Sequence, residues 1–100
     1  MILATSDLRT DYEVLGMVRG SCMRATHLGR DIMAELRKLV GGQVNEYADL
    51  LKSARDEAIE EMTAEASALG ANAIISVRFS TASITKGAAE VIVYGTAVRI

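Results

Sequence analysis

The stretch GAAEVIVYGTAVRI, residues 87–100, decides the fold. Side chains alternate along a strand, so Val91, Val93 and Ala97 point one way while Ile92, Tyr94, Val98 and Ile100 point the other. A strand that is apolar on both sides suits the middle of a sheet covered on both faces. Immediately before it, ANAIISVRFST (71–81) alternates Ala73, Ile75, Val77 and Phe79 against Ile74, Ser76, Arg78 and Ser80, the pattern of a half-wet strand. The turn-rich TASITKG (81–87) joins the two, which predicts an antiparallel hairpin.

Further upstream, YEVLGMVRGSCM (12–23) also has strand spacing, and Ile2 to Ala4 form a short apolar start. Gly16 and Gly20 share a face with Val14 and Val18. The strip is either flat enough for another backbone to approach closely or marks two bulges. Two helices are expected next. GRDIMAELRKLVGG (29–42) places Ile32, Leu36, Leu39 and Val40 at helical spacing and stops at Gly41 and Gly42. Asn45 can cap a longer helix that runs to Gly70, with an apolar stripe through Tyr47, Leu51, Ala54, Ala58, Met62, Ala66 and Leu69. Asp49, Asp56 and Glu60 lie opposite that stripe. Arg55 falls inside it, a charge that either snorkels to water or pairs with Glu13 or Glu90.

The order strand, helices, strand, strand makes the first and second long strands parallel through a helical crossover. The closing strand then fits between them, antiparallel to both. The expectation is a two-layer α+β fold with helices on one face of a mixed three-stranded sheet, plus short extra strands. Helices on one face leave the other open. Burying Ile92, Tyr94, Val98 and Ile100 is worth roughly 1.5 to 3 kcal/mol for each large aliphatic side chain. That sum rivals the roughly 5 to 15 kcal/mol stability of a small domain. Another subunit is therefore expected over that face, the alternative being that the N-terminal segment folds across it.

Composition narrows the function classes. One hundred residues make a single domain, 1–100, and with four aromatic residues and no Trp the core must be built from small aliphatics and Met. A net charge of −2 gives no bulk attraction to nucleic acid or an anionic membrane. No apolar run approaches the roughly 20 residues of a membrane helix. MILATSDLRTD has neither the basic start nor the apolar run of a secretory signal, and the single Cys22 forms no internal disulfide, so a cytoplasmic protein is expected.

Several blocks, MILATSD (1–7), HLGRDI (27–32), ARDEAIEEM (54–62), ALGANAII (68–75) and GAAEVIVYGTAV (87–98), together resemble the YbjQ-type family of small bacterial and archaeal proteins. The resemblance implies a YbjQ-like, dodecin-subunit-like α+β subunit that assembles into a ring, characteristically a homopentamer. The family carries a heavy-metal-binding label. Soft metals usually need two or more thiolate or imidazole ligands, whereas this chain has one Cys and one His. Cys22 reads as packing, and Met17, Met23, Met33 and Met62 read as filler at core spacing.

His27 and Asp31, four residues apart, could hold a cation or a small polar ligand if a helix begins early; local roles at the helix start are the structural alternative. No cofactor is identified. Neither phosphate-loop pattern occurs, a lone His leaves no nucleophile with a base and an orienter, and adjacent Glu60 and Glu61 point apart, so no enzyme is expected. Two readings remain. One is a homo-oligomeric module that binds a metal ion or small ligand around His27, Asp31, Arg55 and Glu90 at subunit contacts. The other is an assembly protein whose acidic helix face docks a macromolecule.

Overall fold

The computed structural model describes residues 1–25, 44–85 and 88–100. In chain order the elements are β1 (Ile2–Leu3), β2 (Glu13–Ala25), α1 (Val44–Ala68), β3 (Ala73–Thr85) and β4 (Ala88–Arg99). They form a four-stranded mixed sheet in the order β1-β3-β4-β2 with α1 on one face. The strand rich in apolar residues on both sides, β4, sits between β2 and β3 and is antiparallel to each. β1 runs parallel to β3, pairing Ile2 with Ala73 and Leu3 with Ile74. The first helix expected from the sequence, 29–42, falls outside the described residues.

α1 ends where the sequence places a glycine. Gly70 has φ +86°. The amide of Ala71 donates to the Ala66 carbonyl at 3.0 Å and that of Gly70 to the Ser67 carbonyl at 3.0 Å, the paired bonds that close a helix C-terminus around a left-handed residue. The stripe runs through Ala54, Ala58, Met62 and Ala66, each fully buried, and packs mainly on β2 and then on β4. Leu69, read as the end of that stripe, is instead exposed beyond the last turn.

The two glycines of β2 play different parts. Gly20 lies so close to α1 that a Cβ there would meet the Met62 amide nitrogen at 2.7 Å and the Ala58 carbonyl oxygen closer still. Gly16 has φ +144° and open space around it, beside a bulge between Val14 and Gly16. The extra residue turns Leu15 toward the helix-side core and leaves Val14 exposed, as an inserted residue must.

β3 departs from simple alternation. A register shift between Ile75 and Arg78 centres on Ser76, whose φ is +54°. Ile74 and Val77 consequently both join the core under α1, while Ala73 and Ile75 face the other side. β3 also continues as strand through Thr85, so most of the stretch read as a turn-rich connection is ladder paired to β4.

One end of the second face is covered by the chain itself. Val98, Ala73 and Ile75 form a small buried cluster under Leu8 and Tyr12. Val98 therefore leaves the set of residues expected to lie open for a neighbour. The N-terminal segment is held by Ala4, which donates to Ile74 and accepts from Val77, and by Ser6, which accepts from the Ser76 amide. Arg78 fixes the same segment, donating from Nη1 to the Thr5 carbonyl at 2.7 Å.

Candidate functional site

Among the described residues, none covers the remainder of the second face. Cross-strand register puts Met17 opposite Thr96, Arg19 opposite Tyr94, Ser21 opposite Ile92 and Met23 opposite Glu90. Val18, Gly20 and Cys22, the alternate residues, face α1 with Val91, Val93 and Gly95. On the open side Met17 is 69 % exposed, Met23 61 % and Tyr94 41 %, with Ile92 half-buried between them. Sequence alternation placed Ile92 and Tyr94 on this face. It missed Met17, Arg19 and Met23, although their spacing in β2 becomes readable once β2 is known to pair with β4.

Among the described residues, β2 has no partner on its outer side, and β1 covers only the start of β3. From Arg78 onward no described strand pairs with the outer side of β3.

Described residues line two clefts beside this sheet. The first, of about 490 Å³, wraps the β2 edge and is lined by Arg19, Ser21, Glu61, Glu65, Glu90 and Ile92. Three carboxylates against one guanidinium give the cleft a negative balance. The second, of about 170 Å³, lies between α1 and the β3–β4 hairpin and is lined by Leu51, Arg55, Thr81 and Val91.

The residues singled out from sequence are thus separated. Arg55 lies on the helix side of β4, in the cleft with Val91, whereas Glu90 lies in the other cleft with Ile92. The pairing of Arg55 with Glu90 is not formed, and Arg55 reaches solvent from the stripe. His27 and Asp31 lie outside the described residues. Ile100 is 48 % exposed, and its backbone is held by Asn72, whose side chain accepts from the Ile100 amide at 2.8 Å and donates to its carbonyl at 3.2 Å. Asp56 and Glu60 are exposed on α1.

In the N-terminal segment a short contact perturbs two titratable groups. The Tyr12 hydroxyl donates to Asp7 Oδ1 at 2.6 Å, and the Leu8 amide donates to the same oxygen at 2.7 Å. The Tyr12 bond first and the Leu8 bond second hold the Asp7 carboxyl below its ordinary range, because both favour the ionised form. The same contact raises Tyr12, which must give up its proton to ionise. These groups secure the strap over Val98; they do not converge on a cleft.

Donors suited to a soft metal do not converge either. Cys22, 8 % exposed, donates from Sγ to Glu57 Oε2 at 3.1 Å, bridging β2 and α1. Among the described residues no group of three or more His, Cys, Asp or Glu side chains has metal-holding geometry. Nor, among them, is any helix long and apolar enough to cross a membrane.

Comparison with known proteins places these features in context. A family model described as "Putative heavy-metal-binding", of the YbjQ type, matches residues 1–100. A UPF0145 protein of Dehalococcoides mccartyi strain 195 is 56 % identical over 103 residues, spanning 100 % of this chain and 99 % of its own length. One from Methanosarcina acetivorans is 48 % identical over 103 residues, spanning 100 % and 97 %. A relative from Thermus thermophilus is 53 % identical over 88 residues, spanning 88 % of this chain and 77 % of its own. Among solved structures, a protein of unknown function of the DUF74 family from Pediococcus pentosaceus superposes with a TM-score of 0.76, covering 100 % of this chain and 97 % of its own at 18 % identity. That last likeness speaks to the fold, the same helix-on-sheet subunit. The whole-length sequence match goes further, and by it the chain belongs to the YbjQ-type, UPF0145 family.

Proposed function

We propose that this chain is the subunit of a cytoplasmic, non-catalytic homo-oligomer that closes into a ring and holds a small ligand or metal ion where subunits meet. The observation that carries the reading is the open half of the sheet. Met17, Met23, Ile92 and Tyr94 lie together on one face with no described segment over them. Size supports it. The chain exposes 6736 Å², whereas a compact monomer of its mass, 10.7 kDa, exposes about 5,500 Å². Its extents are 54 × 21 × 16 Å, a blade with too little interior for its length.

Two unlike free edges, β2 and the outer side of β3, favour a head-to-tail contact, and head-to-tail contacts make rings when the rotation closes. Five subunits is the number that the family resemblance implies. The cleft along β2, with Arg19, Glu61, Glu65 and Glu90, lies at such an edge, so a neighbour would complete its lining. Native mass spectrometry of protein purified without added metal tests both parts. The expected spectrum shows one species at an integral multiple of the chain mass, reduced to monomer by Tyr94→Asp. A wild-type monomer at micromolar concentration would overturn the proposal, while a bare oligomer with no added mass would remove only its ligand.

A further inference from the structure

We infer that the heavy-metal description of the family does not extend to this chain's thiol: Cys22 is a structural donor that ties β2 to α1. One Cys and one His occur in the whole sequence, so a single chain offers one thiolate. Soft-metal centres use two or more thiolate or imidazole ligands. Shared sites in an assembly escape that limit only if the thiol stands on a surface that a neighbour can reach.

Cys22 does not stand on one. It faces α1 from β2, opposite Val91, and is 8 % exposed. Two residues away, Gly20 holds the helix backbone against the strand so closely that a methyl group would not fit. The thiol proton is engaged by Glu57 at 3.1 Å. A metal binds the thiolate, so it would have to displace that proton and enter a contact closed by the helix. Among the described residues, three other methionines are badly placed to help. Met17 and Met23 are on the opposite face of the sheet. Met62 is on the same side but fully buried in the core, five residues from Glu57 along α1, or about 7.5 Å of helix rise.

This inference rests on the interior of one subunit and holds whether or not the chains assemble. Equilibrium dialysis of metal-free, untagged protein against Cd²⁺, Zn²⁺ or Cu⁺, with bound metal counted by mass spectrometry, tests it together with the rate of Cys22 reaction with Ellman's reagent. Retained metal should agree within about twofold between wild type and Cys22→Ala, since the thiol is no ligand. The thiol should react more than about tenfold slower in the native protein than in urea, at a rate Cd²⁺ leaves unchanged. Cd²⁺ bound one per chain with thiolate-to-metal absorption that Cys22→Ala abolishes would overturn it. So would protection of the wild-type thiol by Cd²⁺, a readout that needs no variant to fold.

Discussion

Replacing Gly20 with alanine tests the seating of α1 on the sheet, because the added Cβ meets backbone and not a movable side chain. Its nearest neighbours are the Ala58 carbonyl group and the Met62 amide nitrogen, the latter at 2.7 Å, where ordinary contact begins at 3.4 Å. The helix must lift by the difference or more. A gap of about 0.5 to 1 Å forfeits a quarter to a half of the dispersion well at each facing atom. The contacts affected are those of Ala54, Ala58 and Met62 with Val18 and Val93, all fully buried. Overpacking of this kind costs about 1 to 3 kcal/mol, and the entropic gain of about 0.4 to 1 kcal/mol from removing a glycine offsets only part of it. A net loss of about 1 kcal/mol should lower the thermal midpoint of a 100-residue chain by roughly 4 to 8 °C.

Urea unfolding followed by circular dichroism reads the effect, with the protomer concentration fixed because association shifts apparent stability. Gly16→Ala is the comparison: it adds backbone strain at φ +144° but meets nothing within 4 Å. If Gly20→Ala left the urea midpoint and slope of the wild type unchanged, the close helix contact would be refuted.

Three further outcomes follow from the geometry. Gly95→Ala should cost about 1 to 3 kcal/mol in the same assay, because its Cβ would meet Ile74 Cγ2 at 2.8 Å and the Ile75 carbonyl at 3.0 Å. Asn72→Ala should remove two bonds to Ile100, worth about 1 kcal/mol at this exposed site, and hydrogen exchange at the Ile100 amide should accelerate. The Asp7–Tyr12 pair sets a pH window. Asp7 is depressed in the folded state, so its contribution is present above its ordinary value of 3.8 and is lost as pH falls through the folded value. Tyr12 is raised, so its contribution is present below its ordinary value of 10.0 and is lost as pH rises through the folded value. Tyr12→Phe should abolish the alkaline dependence and weaken the acid one, which the Leu8 amide bond to Asp7 still sustains, as followed by amide chemical shifts of Leu8 and Val98.

Much of this architecture was legible because β4 carries apolar residues on both sides and Gly70 marks where α1 must stop. Strand order, the central place of β4 and the parallel relation of β2 to β3 all follow from those two facts. What escaped were the places where the pleat is interrupted. The alternation argument assumes one residue per step, whereas the bulges at Leu15 and Ser76 each insert one and reverse the faces beyond them. That is why Val14 is exposed and Val77 joins Ile74. The strand through Thr85 was hidden by Ser and Thr, which read as turn residues, although Thr81, Ile84 and Thr85 are β-branched and suit a ladder. At the candidate site, periodicity placed Ile92 and Tyr94 on the open face, and the alternative cover by the N-terminal segment holds at one end, where Leu8 and Tyr12 close over Val98. Arg55 and Glu90 were grouped by charge alone, and the sheet runs between them.

The register of β2 with β4 joins the second element of the chain to its last. Residues 13–25 cannot form a ladder until residues 88–99 have left the ribosome, and β3 also pairs chiefly with that final strand. Sheet formation must therefore wait for β4, and its rate should be set by closing a loop of more than sixty residues rather than by any local step. Until then α1 has no surface to lie on, and the nascent chain carries its two longest unpaired strands, β2 and β3, in a form vulnerable to pairing with other copies.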